Sequence, residues 1–429
     1  MSISFTYEDY LLERKPYQEK GVLLLLERKH ACLFYKPGKG KTYPTVEATR
    51  EIDKLLNGKA KVLVLSTADA IKNMWKVEIE PQRIMPVDTV YMSFSSAIQE
   101  KTKAQLTKIK WDIIIVDECH KIKSHNSKIS KLVYLLSKRT KYVWGLTGTP
   151  RGNTDIDIFC QFHNMNISEW GEISYTRFVD QCCDLDQKFF HGQMVKIPIG
   201  INRKYQAGWE RNIAMYTQRI DYTEEDNMPD LNVNLIEFDY TATKEYLQAE
   251  QGVVSIGEYE STMTKLAAVT KLHQIVNGFA YIYNDEDERT IYNIEYNKKL
   301  DWLENNVSTK PTVIVYRFEA DKQNICKLFE GEWTENVEDF KRGDYNILLL
   351  QCSRCESFNL QMCKHMIFYT FDYSYIKYNQ MLHRIWRMGQ TDDVCVDVLI
   401  FKDTVETKIW NTVKNKEKFA DLFMAIKGL

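Results

Sequence analysis

Residues Ala31 to Thr42 read ACLFYKPGKGKT: an apolar run, a glycine-bearing turn, and the start of a stretch that suits a helix as far as Leu55. Strand, glycine loop and helix in that order form the setting in which a phosphate loop works. Gly38 and Gly40 let backbone N–H groups close around phosphate oxygens, and the helix starting there adds the positive end of its dipole. Lys41 brings a point charge to the outer phosphates of ATP, and the Thr42 hydroxyl suits Mg²⁺. Lys39 belongs to the same nucleotide-binding loop. Pro44 falls in the first helical turn, where a missing N–H costs little. Tyr35 stands where the simple pattern has its first glycine, so the match covers the second half of the motif.

Four further strings follow in order. The β-branched run Ile113–Val116 suits a strand buried on both faces of a parallel sheet. It carries Asp117 and Glu118, of the string DECH, to the strand's carboxyl end, where ligands bind in open α/β sheets. Adjacent side chains there point in different directions, so Asp117 is assigned to the metal and Glu118 to the attacking water. LTGTP (Leu146–Pro150), SRCESFNL (Ser353–Leu360) and QMLHRIWRMGQ (Gln380–Gln390) complete the set. In the last, Arg384 and Arg387 are three residues apart, which predicts one helical face. A planar guanidinium from a second lobe stabilises the charge of a transferring phosphoryl group when the lobes close.

Together these strings resemble helicase superfamily 2 and, within it, the Swi/Snf-like ATP-driven DNA translocases. KPYQ (Lys15–Gln18), followed by Gly21 and Val22, resembles the family's adenine-reading segment, which makes Gln18 the implied adenine contact. VLVLST (Val62–Thr67) and NMWKVE (Asn73–Glu78) resemble the strand and the Trp-bearing helix that lie along DNA, implying a nucleic-acid role for Trp75. His120, Ile122 and Lys123 continue the pattern, with Ser124 where asparagine is usual, and VIVYRF (Val313–Phe318) and Phe371–Asp372 match in the second half. The resemblance makes Arg387 the arginine finger, with Arg384 beside it and Gln380 near the γ-phosphate. It gives His120, Thr147 and Thr149 the task of coupling hydrolysis to nucleic acid, together with Glu356 and Asn359. The fifth string departs from the family's glycine-rich form, since Arg354, Cys355 and Ser357 replace glycines that allow positive φ.

Cys352, Cys355, Cys363 and His365 form a CxxC followed by a Cys and a His, a possible zinc set. The second pair is only one residue apart, an awkward spacing, and the segment aligns with a family motif. Reduced thiols in a mostly buried loop are the expectation.

With 429 residues and 44% apolar composition the chain is long enough for two or three domains with proper cores. A net charge of −2 excludes indiscriminate coating of nucleic acid, so binding must come from local basic surface. Candidates are Lys101–Lys110, the stretch from Lys121 through Lys141, and Lys408–Lys418, with Trp75, Tyr91 and Phe94 as aromatic neighbours. The opening segment is polar and charged, and the longest aliphatic run, Val22–Leu26, is too short to span a membrane. Ten cysteines without a secretory signal read as free thiols, and the expected location is cytoplasmic, in a bacterial cell or phage-infected host.

The expected fold class is α/β: two RecA-like doubly wound parallel-sheet lobes with a mainly helical insertion, and ATP in the cleft between them. Residues 1–155 form the first lobe, 156–235 the insertion, and 236–429 the second lobe with a helical entry segment, where His273 reads as a core or cap residue. The expected activity is a DNA-dependent ATPase that translocates on duplex DNA, with single strands as a possible substrate. Its cofactors are ATP and Mg²⁺. Replication, recombination or nuclease proteins encoded separately are possible partners. Two alternatives stand beside it: a strand-separating DNA or RNA helicase, for which no wedge is obvious, and a non-hydrolysing nucleic-acid-binding subunit.

Overall fold

In the first half the short apolar runs become strands of one sheet. They are β1 (His30–Tyr35), β2 (Val62–Ser66), β3 (Thr89–Ser93), β4 (Ile113–Asp117) and β5 (Tyr142–Leu146). A separate antiparallel hairpin, β6 (Cys183–Phe190) with β7 (Gln193–Ile201), precedes the sixth strand of the sheet, β8 (Thr217–Ile220). The order is β3-β2-β4-β5-β1-β8, with every pairing parallel. Side chains alternate between two cores: Cys32, Phe34, Leu63, Leu65, Ile114 and Val116 face one, and Leu33, Tyr35, Val62, Val64, Ile113 and Ile115 the other. Both faces are therefore covered, which is why β2, β4 and β5 are buried along their whole length.

The computed structural model describes residues 6–151, 156–190, 193–223, 226, 228–256, 259–262, 265–283, 288–307, 310–354, 360–387 and 389–415. The chain divides into two compact units, Met1–Asp226 and Asn227–Leu429. The stretch 156–235 is shared between them. Its aromatic residues Phe159, Phe162, Trp170, Phe178 and Trp209 join Leu132 and Val143 in a core of the first unit, with the Phe159 and Phe178 rings stacked 3.6 Å apart. Large apolar rings need such a shared core to leave water. Helices alternate there with the β6–β7 hairpin, and β8 extends the first sheet, so the stretch is less helical than expected.

The second unit begins with β9 (Leu231–Phe238) and two hairpins, β10 (Val253–Ile256) with β11 (Tyr259–Thr262) and β12 (Phe279–Tyr283) with β13 (Arg289–Asn293). It continues through β14 (Thr312–Tyr316), β15 (Trp333–Thr334), β16 (Ile347–Gln351), β17 (His365–Phe368) and β18 (Val394–Phe401). Its sheet runs β15-β16-β14-β17-β18-β9, again wholly parallel. Val313, Val315, Met366, Phe368, Val396 and Val398 face one core with Met381, Leu382 and Ile385, and Ile314, Ile367 and Leu399 face the other with Leu303 and Ile325. Two doubly wound parallel lobes are thus present, as the strand pattern led one to expect. Among the described residues no helix is long and apolar enough to cross a membrane.

Candidate active site

In the first unit β5 lies between β4 and β1, so the carboxyl ends of three neighbouring strands present DECH, the Thr147–Thr149 turn and the phosphate loop side by side. The loop leaves β1 at Lys36 and enters the helix Thr42–Leu55. Gly38 and Gly40 have φ of 84° and 68°, where any other residue is strained. A Cβ on Gly40 would also stand 2.6 Å from Gln18 Nε2. Gln18 donates through Nε2 to the Gly40 carbonyl at 3.2 Å and accepts from the Lys15 N–H at 2.9 Å. It therefore ties the helix Pro16–Arg28 to the loop, in addition to any contact with a base.

Lys39 differs from expectation. Its ammonium is ion-paired with Asp226, with side chains only 4% and 9% exposed, and lies 5.7 Å from the Tyr17 ring centroid. A buried cation requires a counter-charge, and Asp226 supplies it, so the side chain of Lys39 braces the loop and leaves only its backbone to meet a phosphate. Tyr222 Oη donates to the Pro37 carbonyl at 2.7 Å, and Ile220 accepts from the Lys36 N–H at 2.9 Å. Sequence reasoning missed these braces, because Asp226 lies 187 positions beyond its partner in a stretch without a motif.

Asp117 is buried at the end of β4. Its Oδ2 accepts from Ser66 Oγ at 3.0 Å and Trp75 Nε1 at 3.1 Å, and its Oδ1 from the Glu118 N–H at 3.0 Å. Burial and then the adjacent Glu118 push its carboxyl above the usual range, against the pull of Lys41, Trp75 and Ser66. Trp75 is the clearest correction to the sequence reading. It sits on a π-helical stretch, Ile71–Ile79, is fully buried, and turns its indole to Asp117, so it cannot lie along a nucleic acid.

Glu118 turns away from Asp117 by adopting a left-handed backbone, φ 53° and ψ 47°, a strained conformation that surrounding contacts hold in place. Its Oε2 lies 3.2 Å from His120 Nδ1 and 3.4 Å from Thr147 Oγ1. His120 Nδ1 and Thr147 Oγ1 are 2.9 Å apart, and Thr147 Oγ1 accepts from the Thr149 N–H at 3.1 Å. Thr149 Oγ1 is buried without a hydrogen-bond partner among the described residues. The DECH turn and the LTGTP turn are therefore one polar network.

In the second unit Gln380 is buried on the helix Tyr375–Ile385, and Arg384 lies in its last turn. Arg387 does not share that helical face. The helix ends at Ile385, and Trp386 takes φ −93° and ψ 93° and donates its indole N–H to the Pro229 carbonyl at 2.9 Å. Gly389, at φ 89°, and Gln390, whose side chain donates to the Cys363 carbonyl at 3.0 Å, complete the turn that carries Arg387. Glu356 and Asn359 lie outside the described residues, as does Cys355 of the possible zinc set.

A charged cluster that the sequence did not reveal lies in the second unit's core. Lys299 and Glu406 are both fully buried and 2.7 Å apart, and the Lys299 ammonium also donates to Asn277 Oδ1 and the Tyr369 carbonyl, each at 3.0 Å. Glu406 accepts further from Asn277 Nδ2 at 2.8 Å and the Phe401 N–H at 2.9 Å. His273, a core histidine as expected, has Nε2 3.2 Å from Glu406 and Nδ1 3.2 Å from an Arg317 nitrogen.

A glycine loop, an acidic pair with its aspartate buried and a threonine-bearing turn on adjacent strand ends, with an arginine-bearing turn in a second parallel lobe, define an ATP-dependent, helicase-like motor. The chain belongs to the Swi/Snf-like family of helicase superfamily 2. Residues 81–188 match the SNF2-related domain, and residues 265–389 match the helicase conserved C-terminal domain. It is similar to the uncharacterized ATP-dependent helicase YqhH of Bacillus subtilis, at 24% identity over 94% of this chain and 78% of that protein. It is also similar to the Drosophila melanogaster SWI/SNF-related matrix-associated actin-dependent regulator of chromatin subfamily A-like protein 1, at 22% identity over 94% of this chain and 55% of that protein. Among solved structures, the Sulfolobus solfataricus SWI2/SNF2 ATPase core in complex with dsDNA aligns with 96% of this chain and 92% of its own, at 19% identity and a TM-score of 0.40.

Proposed function

We propose that the chain is a DNA-stimulated ATPase that translocates along duplex DNA and displaces or remodels what is bound there. The observation that carries this reading is the single polar network joining Glu118 to the Thr147–Thr149 turn beside the phosphate loop. Such a network links the hydrolytic carboxylate to a second strand end, which is what a motor needs and a simple phosphatase does not.

The chemistry follows from the residues. Lys41 and the backbone of Gly38 to Lys41 bind the phosphates, and Gln18 reads the adenine edge while bracing the loop. The Thr42 hydroxyl and the Asp117 carboxylate are hard oxygen donors, and burial leaves Asp117 short of positive charge, so the pair fits Mg²⁺. Bound there, Mg²⁺ would neutralise charge on the phosphate oxygens. Glu118 orients the attacking water and takes its proton, held in its strained turn by His120 and Thr147. Arg387, with Arg384 and Gln380, reaches the γ-phosphate when the second unit closes. Thr147 and Thr149 relay that closure to DNA held by basic surface, with Lys101–Lys110 the first candidate.

A third-strand displacement assay tests the reading. The expected result is ATP-dependent release of a third strand from duplex DNA without separation of the two strands beneath it. Separation of a duplex, or activity confined to RNA, would replace translocation by strand-separating helicase action.

A further inference from the structure

Separate from the nucleotide residues, His365, Cys395 and Asp397 gather their donor atoms within 4.8 Å of one another. His365 opens β17, and Cys395 and Asp397 stand on β18, with His365 paired to Cys395 across the ladder. Being two apart, Cys395 and Asp397 project from the same face as Ile367 and Leu399. Gln380 and Arg384 stand on the helix that packs against the opposite face, through Met381, Leu382 and Ile385.

His365 is held at both ring nitrogens. Thr312 Oγ1, which donates to the Lys310 carbonyl at 3.1 Å, lies 3.3 Å from His365 Nδ1. His365 Nε2 lies 2.8 Å from Asp397 Oδ2. Cys395 Sγ is the third donor, 3.8 Å from Asp397 Oδ1. In a tetrahedral zinc site the bond lengths, about 2.0–2.2 Å to N and O and about 2.3 Å to S, set the donors roughly 3.3–3.6 Å apart. The observed separations bracket that value.

A supporting shell is present as well. Asn234 on β9 donates through Nδ2 to Asp397 Oδ1 at 2.9 Å and to Cys395 Sγ at 3.4 Å, and Thr312 on β14 holds the far nitrogen of His365. Ligating histidines and carboxylates are usually oriented by such outer partners. The side chains of His365 and Asp397 are 21% and 11% exposed, so water has access to a fourth position.

We propose that His365, Cys395 and Asp397 form a binding site for a borderline divalent cation, Zn²⁺ by its mixed N, S and O donors, that pins the first residues of β17 to β18. The site differs from the zinc set suggested by sequence spacing. His365 is common to both, but Cys363 instead donates its thiol to the carbonyls of Pro311 and His365, at 3.1 and 3.2 Å.

Cobalt substitution of the full chain tests this. After chelator dialysis, Co²⁺ titration is expected to saturate at one equivalent, with the visible absorption of a tetrahedral centre and a near-ultraviolet thiolate charge-transfer band. Zn²⁺ should abolish both. The charge-transfer band should vanish in Cys395→Ser and His365→Gln and persist in Cys363→Ser, while ATP turnover is unchanged in all three. In the unaltered chain, stoichiometric Zn²⁺ should protect Cys395 from iodoacetamide, which keeps the test independent of how the variants fold. Absence of the thiolate band, its survival in Cys395→Ser, or Cys395 alkylation unaffected by Zn²⁺ would overturn the site and leave a His365–Asp397 hydrogen bond.

Discussion

Two buried carboxylates, one in each unit, have been driven in opposite directions. Glu406 lies among Lys299, His273, Asn277 and a backbone N–H; burial alone would raise its carboxyl, yet Lys299 and His273 bring it down to about 2. Asp117 is as deeply placed and receives three hydrogen bonds, but burial and then the charge of Glu118 raise it, outweighing the pull of Lys41. The difference is one of counter-charge. Glu406 is completed by the protein and serves structure. Asp117 lacks that counter-charge, as a perturbed carboxyl at a working site does, and under the proposed function a cation would supply it.

The largest expected effect separates the two directly. Lys299→Met leaves Glu406 buried and unpaired and should cost about 3–5 kcal/mol in denaturant unfolding, whereas Asp117→Asn should leave stability unchanged or higher while abolishing ATP turnover. Equal losses of stability in the two variants would break the comparison.

Acid should distinguish them next. A depressed carboxyl stabilises the fold above its unfolded value and loses that contribution as pH falls through its folded value. For Glu406 the window runs from its ordinary 4.5 down to about 2, and the contribution is about 3 kcal/mol. His273, which burial holds near 4 against the pull of Glu406, adds a loss of the same sign that begins below its ordinary 6.5. Asp117 acts in the reverse sense, since a raised carboxyl costs stability as pH rises through its folded value. The stability gap between the native chain and Glu406→Gln should therefore close as pH falls from about 5 towards 2, measured by urea unfolding at each pH.

A smaller effect tests the correction at Trp75. Trp75→Phe removes one donor from Asp117, a loss of about 1.5–3 kcal/mol for a hydrogen bond to a charged group, and should lower turnover without changing DNA affinity. Weaker DNA binding with normal turnover would restore Trp75 to the nucleic-acid track. The smallest effect is expected at the brace, where Asp226→Asn should raise the KM for ATP on the order of tenfold, or 1.4 kcal/mol, with little change in kcat.

The sequence made legible what is local and regular. The runs ACLFY and IIIVD become β1 and β4, and their strings fall on neighbouring strand ends because the doubly wound order puts them there. Pattern failed where an interaction is long-range or a period stops. Lys298 and Lys299 look alike in sequence, yet Lys299 is fully buried, because its partner Glu406 lies 107 positions away. Arg387 kept the helical spacing in sequence, but Trp386 had already left the helix. The motif places Trp75 along nucleic acid, although the carboxylate that takes its N–H lies 42 residues ahead.

The most direct test of the account is steady-state ATP turnover by the native chain and Glu118→Gln, each alone and with duplex DNA, single-stranded DNA or RNA. The expected result is strong stimulation by duplex DNA, reduced about 10²–10⁴-fold in the variant, as removal of a positioned base requires. Turnover in Glu118→Gln equal to that of the native chain, or a native chain that binds DNA yet hydrolyses no ATP under any condition, would contradict it.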